Sequence, residues 1–206
     1  MPVLHRFSRR ACMATALFLA LPLTATRVIA AVPDASTFIV DLGDHVLRLI
    51  GDKQRPLAER GQDFEHLAVG AFDFPRIARF TLGNYWRTAS DDQKQQYETA
   101  FQAYMVKFYW SQFSGFNAAD FKVTKQRDSG SNFVVVSTEI DRPTGQGPIA
   151  ADWTVAKVGD GFKIIDVSIG GISQLLTYRD QFASTLDRNG GNVGALTDQL
   201  KQKSAN

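Results

Sequence analysis

The chain has 206 residues, of which 44% are hydrophobic and 21% are charged, and its one cysteine is Cys12. Its 23 basic and 21 acidic residues give a formal net charge of +2, but four of the arginines lie within the first 30 residues, so the remainder carries 19 basic against 21 acidic side chains. This balance excludes a broadly basic nucleic-acid-binding surface after residue 30. The single early cysteine excludes disulfide, thiolate-metal and cysteine-nucleophile chemistry there.

The first 30 residues have the layout of a secretory signal. A basic opening, MPVLHRFSRR, precedes an apolar run, ACMATALFLALPL, which is too short to span a bilayer, and small residues follow up to Ala30. We therefore predict a signal peptide over residues 1–30, cleaved on export, and a single domain over residues 31–206. The pair Arg9-Arg10 leaves open whether export uses the general or the twin-arginine route.

Helical spacing of apolar residues dominates the chain from Asp34 to Gly115. It predicts helices over residues 34–51 and 56–72, and then a short helix in DFPRIARFTLG with Asp73 as its N-cap. Ser90 and Gln93 form a capping box that begins the longest predicted helix. One stripe of that helix is unusually aromatic.

After Gly115 the apolar period changes from 3.6 to 2. It predicts strands over residues 120–128, 132–141, 149–158 and 161–169, joined by short connections, and then helices over residues 172–187 and 193–203. Consecutive strands with short connections form an antiparallel meander. We therefore predict an α+β fold: a curved four-stranded antiparallel sheet, NTF2-like in arrangement, packed by N- and C-terminal helices around an apolar cavity.

The sequence offers little catalytic chemistry. His45 and His66 lie on predicted helices without a second ligand at metal-binding spacing. Gly170-Gly171 belongs to neither nucleotide-binding glycine pattern, and there is no GxSxG or SxxK motif. We predict no catalytic residue, no metal and no cofactor.

Two alternatives to a binding protein stay open. Asp152 and Asp166 lie on adjacent predicted strands, and an enzyme with a cone-shaped α+β pocket could use one of them as a general acid or base. Strict alternation instead places Asp166 with Phe162 and Ile164 on one face of the strand, and Ile165 with Val167 on the other. The second alternative is a structural adaptor with a fully packed core.

An excess of apolar residues favours a binding function. Phe133 to Val136 and Ile164-Ile165 place apolar side chains on both faces of the predicted sheet, so both faces must be covered. The bulky side chains of the aromatic helix, facing such a sheet, favour an apolar cavity over a tightly packed layer.

An ordered set of motifs resembles the toluene-tolerance or MlaC family of periplasmic lipid-binding proteins, over about residues 34–200. The motifs are Phe72-Asp73, Arg79 to Gly83 with Trp86, Ser90 with Gln93, Asp166 to Ser173, and Tyr178-Arg179 with Phe182. Phe162 stands where the family often has tryptophan. The segments Ile172 to Leu175, Thr185-Leu186, Gly190-Gly191 and Ala195-Leu196 are closer to the HpnM-like branch associated with hopanoid biosynthesis.

The resemblance implies that residues 31–206 form a single lipid-binding domain, a carrier in the periplasm that holds a phospholipid, or in the second branch a hopanoid. It also implies exchange with an inner-membrane ABC transporter complex and with an outer-membrane lipoprotein complex. We predict that the carrier is a monomer. The family has no catalytic residues. We predict that these residues line the lipid cavity: Phe101, Tyr104, Met105, Phe108, Val134, Val136, Trp153, Val155, Ile165, Val167 and Tyr178. For Arg179 two roles stay open, a contact with the lipid headgroup and an ordinary ion pair on the helix surface.

Overall fold

The computed structural model describes residues 34–115, 120–142 and 147–205, so the predicted signal peptide lies outside the described part of the chain. Five helices come first: α1 Ala35–Gly51, α2 Leu57–Ala71, α3 Phe74–Leu82, α4 Tyr85–Thr88 and α5 Asp91–Phe113. Five strands follow: β1 Asp120–Asp128, β2 Phe133–Asp141, β3 Ile149–Val158, β4 Gly161–Ile169 and β5 Ile172–Ser173. The last elements are α6 Gln174–Arg188 and α7 Val193–Ala205.

Local capping explains where two of the predicted helices begin. The Asp73 carboxylate accepts a hydrogen bond from the Arg76 amide at 3.2 Å, and Ser90 and Gln93 form the predicted reciprocal capping box at the start of α5. Asp34 precedes α1 as predicted, but its side chain makes no capping hydrogen bond. The short helix α4 was not predicted, because four residues are too few to show a helical period.

The sheet is an antiparallel meander in the order β1-β2-β3-β4-β5. The α+β class is confirmed, but the expected number of strands is wrong, because the described residues contain a fifth strand. Gly170 and Gly171, with φ of 58° and 81°, make the tight turn that returns the chain onto β4. Ile172 then pairs with Ile169, and α6 begins at Gln174 rather than at Ile172.

A β-bulge changes the side-chain pattern of β4. Trp153 pairs with Val167, whereas Val155 pairs with Ile164, so the register shifts by one residue between the two pairs. Ile164 is fully buried in the same apolar cluster that Val167 contacts, while Ile165 belongs to no cluster. The strict alternation expected along this strand is therefore wrong, and Ile164 takes the inward position expected for Ile165.

The buried apolar residues form two separate clusters. The helical cluster has these buried members: Phe64, Ala68, Phe74, Ile77, Ala78, Leu82, Ala89, Tyr97, Ala100, Phe101, Met105, Val106, Tyr178, Phe182, Leu186, Val193, Leu196 and Leu200. The sheet cluster joins α1 and the end of α2 to the sheet through Ala35, Ile39, Leu42, Ala71, Val134, Val136, Val155 and Ile164. Val46 and Phe72 are partly buried and pack against both clusters.

The segment between α2 and α3 is tied to the outer edge of β4. Phe72 forms an isolated parallel bridge with Ile164, and the Asp73 amide donates a hydrogen bond to the Ile164 carbonyl at 2.9 Å. The backbone therefore fixes one boundary between the two clusters. In the described residues, none of the helices combines the length and the apolar character needed to cross a membrane.

Candidate functional site

The predicted lining residues on the helices lie in or beside the helical cluster. Phe101, Met105 and Tyr178 are buried members of it, and Tyr104 is partly buried against it. Phe108 has 37% of its surface exposed, and its ring meets that of Tyr104 at a tilt and that of Tyr109 edge to face. The aromatic stripe of α5 therefore runs from the interior to the surface.

The predicted lining residues on the strands, apart from Ile165, lie in or beside the sheet cluster. Val134, Val136 and Val155 are buried members, and Trp153 and Val167 pack against them from partly buried positions. The Trp153 indole Nε1 donates a hydrogen bond to Thr138 Oγ1 at 2.9 Å, which fixes the ring on this face. Ile165 is partly buried outside both clusters.

The structure therefore divides the predicted set between two clusters. Sequence analysis missed the contribution of α1, whose Ile39 and Leu42 cover the inner face of the sheet. It also missed Val46 and Phe72, which contact both clusters. The helical period of α1 predicts a buried face, but it carries no information on which layer that face meets.

Arg179 lies on α6, with its guanidinium 4.7 Å from the centroid of the Phe80 ring on α3. Its side chain has no carboxylate within 4.0 Å among the described residues. An ion pair with a carboxylate of the described residues therefore does not position the Arg179 side chain. An aromatic face supports the guanidinium and leaves its N–H donors free for an anion.

Several tyrosines place hydroxyls inside the helical layer. Tyr97 and Thr81 share a hydrogen bond of 2.9 Å between their hydroxyl oxygens, and burial raises the pKa of Tyr97. Burial also raises the pKa of Tyr178, whose hydroxyl interacts with that of Tyr109. Because these phenols stay protonated at neutral pH, they serve as neutral hydrogen-bonding groups.

The two acids considered for catalysis have structural partners. Asp152 is 43% exposed, and one of its oxygens lies 3.9 Å from Arg127 Nη2. Asp166 accepts hydrogen bonds from Ser173 Oγ at 2.6 Å and from the Leu175 amide at 2.9 Å. No group of three potential metal-ligating side chains occurs in the described ranges.

A cleft of about 420 Å³ opens between α1 and α2. Its lining comprises His45, Arg48, Leu49, Asp52, Arg55, Asp63 and Leu67. Leu49 packs against the helical cluster and Leu67 against the sheet cluster, so the floor of the cleft reaches both. Another cleft, of about 400 Å³, lies between α5 and α7 and is lined mainly by polar side chains.

The rim of the α1–α2 cleft carries both charges. Arg55 makes an ion pair with Asp63 at 2.7 Å, whereas Arg48 has no ion pair within 4.0 Å in the described part of the chain. His45 Nδ1 lies 2.6 Å from the Asp41 carbonyl oxygen. The rim is therefore polar and the floor is apolar, which suits an amphipathic ligand.

Comparison with known proteins gives consistent results. The sequence profile of the MlaC protein family matches residues 41–202. The toluene tolerance protein Ttg2D of Pseudomonas putida is 24% identical over 114 residues, which cover 55% of this chain and 53% of that protein, so the match spans about half the length of this relative.

A solved structure also resembles the chain throughout its fold. It is a phospholipid-binding protein from Ralstonia solanacearum, determined in complex with a phospholipid. The two structures superpose with a TM-score of 0.71 at 26% sequence identity, and the match covers 84% of this chain and 98% of the other.

Proposed function

The chain belongs to the MlaC family, and on this premise we propose that it is a non-enzymatic phospholipid-binding carrier of the periplasm. The similar protein from Ralstonia solanacearum was solved with a phospholipid, and its fold matches nearly all of the described chain. The acids of the enzyme alternative are engaged in an ion pair and in the start of a helix, which supports the non-enzymatic reading.

The observation that carries the proposal is the division of the core into two clusters. A single packed core would need to open everywhere to admit a chain, whereas two clusters can part along the boundary marked by Val46 and Phe72. We place the acyl chains at this boundary, which we call the seam. The predicted lining residues other than Ile165 would then form its two walls, the helical residues on one side and the strand residues on the other. The resulting cavity would be the NTF2-like one expected from the sequence.

The two ends of the seam differ. At Phe72 the backbone bridge to Ile164 holds the layers together. At Val46, the α1–α2 cleft exposes Leu49 and Leu67, one from beside each cluster. We propose that the layers part at the α1–α2 cleft and pivot about the Phe72 junction.

The energetics limit what such a carrier can do alone. Two acyl chains of about 15 methylenes each represent about 24 kcal/mol of transfer from water, at about 0.8 kcal/mol per methylene. Acyl chains in a bilayer are already shielded from water, so the free energy of moving a lipid from a membrane into the carrier is close to zero. We therefore propose that partners set the direction by preferring the empty or the filled form: an inner-membrane ABC transporter complex and an outer-membrane lipoprotein complex. The carrier itself is proposed to act as a monomer.

The hopanoid-associated branch gives a second candidate cargo. Its motifs include Ile172 to Leu175, where the structure has the short strand β5 and the start of α6. A rigid ring system would occupy the same seam without the paired chains of a glycerophospholipid.

The test is native mass spectrometry of the protein purified from periplasm, followed by extraction and identification of the lipid. A bound mass of a phospholipid supports the shuttle, and a hopanoid mass assigns the protein to the second branch. A mass without lipid, found again after incubation with liposomes, would overturn the carrier and favour the adaptor.

A further inference from the structure

A row of cations backed by aromatic rings crosses α3, α4 and the neighbouring ends of α5, α6 and β2. We call it the arginine–aromatic surface. Its residues are Arg76, Arg79, Phe80, Trp86, Lys94, Phe133 and Arg179. Arg76, Arg79 and Phe80 are three and four positions apart on α3 and so share one side of the helix.

Each of the four cations lies over an aromatic ring. The Arg76 guanidinium is 5.0 Å from the Phe133 ring centroid, and that of Arg179 is 4.7 Å from the Phe80 centroid. Trp86 lies under two cations, with Arg79 at 6.0 Å and Lys94 at 5.8 Å. The shared ring and the shared helix connect these contacts into one surface.

The charge of this surface is largely uncompensated. Arg76, Arg79 and Arg179 have no ion pair within 4.0 Å among the residues that the structure describes, and only Lys94 has a carboxylate partner, Asp91 at 3.0 Å. The chain after residue 30 has 19 basic and 21 acidic residues. Positive charge is thus concentrated here on a slightly acidic protein.

We propose that the arginine–aromatic surface docks the protein onto the surface of an anionic phospholipid membrane. A guanidinium binds phosphate through several N–H groups in a fixed geometry, and the rings beneath these arginines keep them oriented. Phe80, Trp86 and Phe133 are themselves partly exposed, and the amphipathic ring of a tryptophan such as Trp86 favours the level of the lipid headgroups. This inference goes beyond the proposed function, since it assigns a surface rather than a cargo site and does not depend on what fills the seam.

The experiment is sedimentation of the purified protein with vesicles. One set contains phosphatidylcholine alone, and the other contains phosphatidylcholine and phosphatidylglycerol in equal amounts. The wild-type protein is expected to sediment with the anionic set only, and added salt should release it. Each cation near such a surface contributes roughly a factor of five in binding, so the triple variant Arg76→Gln, Arg79→Gln, Arg179→Gln should bind about 100-fold more weakly.

A matched variant separates this surface from net charge. Lys107→Gln, Lys125→Gln and Lys157→Gln remove three exposed cations elsewhere in the described chain, and this triple variant should bind like the wild type. Replacing the three arginines with lysine keeps the charge but removes the planar guanidinium, so this variant should bind more weakly than the wild type and more tightly than the arginine-to-glutamine triple. Circular dichroism of each variant checks that it is folded. If both glutamine triples lose the same amount of vesicle binding, net charge alone explains the binding and the proposal is overturned.

Further outcomes distinguish this proposal from the proposed function. Failure of the wild-type protein to sediment with anionic vesicles overturns the docking surface, even if native mass spectrometry finds a bound lipid. Sedimentation that the arginine triple does not change also overturns it. If the arginine triple keeps its vesicle binding but loses binding to a purified membrane complex, the surface serves a protein partner instead.

Discussion

The carboxylate of Asp166 accepts hydrogen bonds from both the Ser173 side chain, at 2.6 Å, and the Leu175 amide, at 2.9 Å. Ser173 in turn caps α6 by accepting from the Leu176 amide at 3.1 Å. One acid therefore connects the central part of β4 to the first turn of α6. Its negative charge also lies at the positive end of that helix.

We expect Asp166→Asn to lower the free energy of unfolding by about 1–3 kcal/mol, because an amide offers one acceptor oxygen where the carboxylate offers two. Urea denaturation followed by circular dichroism measures the change. Asp160→Asn, in the exposed turn between β3 and β4, is the matched control and should change stability little. Lipid retention by the folded Asp166→Asn variant should equal that of the wild type. A variant as stable as the wild type would contradict this role of the Asp166 carboxylate.

The seam can be tested with two isosteric substitutions. Val136→Thr places a hydroxyl in the sheet wall, and Val106→Thr places one in the helical cluster outside the predicted lining. Both substitutions should lower the free energy of unfolding by a similar amount, about 1–3 kcal/mol, because each buries a hydroxyl. Only Val136→Thr should also lower the amount of lipid that copurifies. Equal lipid content in both variants would contradict the placement of the acyl chains.

The contact between α1 and β1 is unusually close at one glycine. A Cβ at Gly43 would lie 2.6 Å from the Phe121 ring, whereas a Cβ at Gly70 on α2 would meet nothing within 4 Å. Gly43→Ala should therefore destabilise the protein by about 1–3 kcal/mol through overpacking. Gly70→Ala should stabilise it by about 0.4–1 kcal/mol, because alanine loses less backbone entropy in a helix. Thermal denaturation of the two variants gives the comparison, and an equal shift in both would refute the close packing.

Burial raises the pKa of Tyr97 and of Tyr178. The folded state therefore retains phenolic protons that the unfolded chain releases above about pH 10. Below pH 10 the two protonated phenols make their full contribution to the free energy of unfolding. Above pH 10 each of them should lower that free energy by about 1.4 kcal/mol per pH unit. Urea midpoints of the wild type and of Tyr178→Phe between neutral pH and pH 11 test this. The phenylalanine variant should show the shallower alkaline decline, and parallel curves would contradict the assignment.

The order of elements could be predicted from sequence because the signals are local. The capping box at Ser90 and the glycines around the strands fix boundaries within a few residues. The same local signals could not reveal β5, because two residues show no period. Nor could they reveal the bulge that exchanges Ile164 for Ile165, since a register shift depends on the neighbouring strand.

The candidate site was less predictable than the fold. The composition indicates which side chains are buried, but the separation into two clusters depends on how α1 lies on the sheet. Val46 is an ordinary residue in a helical stripe, and only the packing shows that it touches both clusters. A boundary between layers depends on the tertiary packing, so the spacing of residues in the sequence does not predict it.

Strand β1 lies at one edge of the sheet, where a second molecule could add a strand. Strand β4 is covered on its outer side by β5 and by Phe72, but β1 pairs only with β2 among the described strands. An open edge is a template on which a second molecule can add a strand, and such additions lead to aggregates. This edge carries Lys122, Lys125 and Arg127 and has a register break near Thr124. The charged side chains and the kinked backbone of this edge oppose the addition of a strand from a second copy.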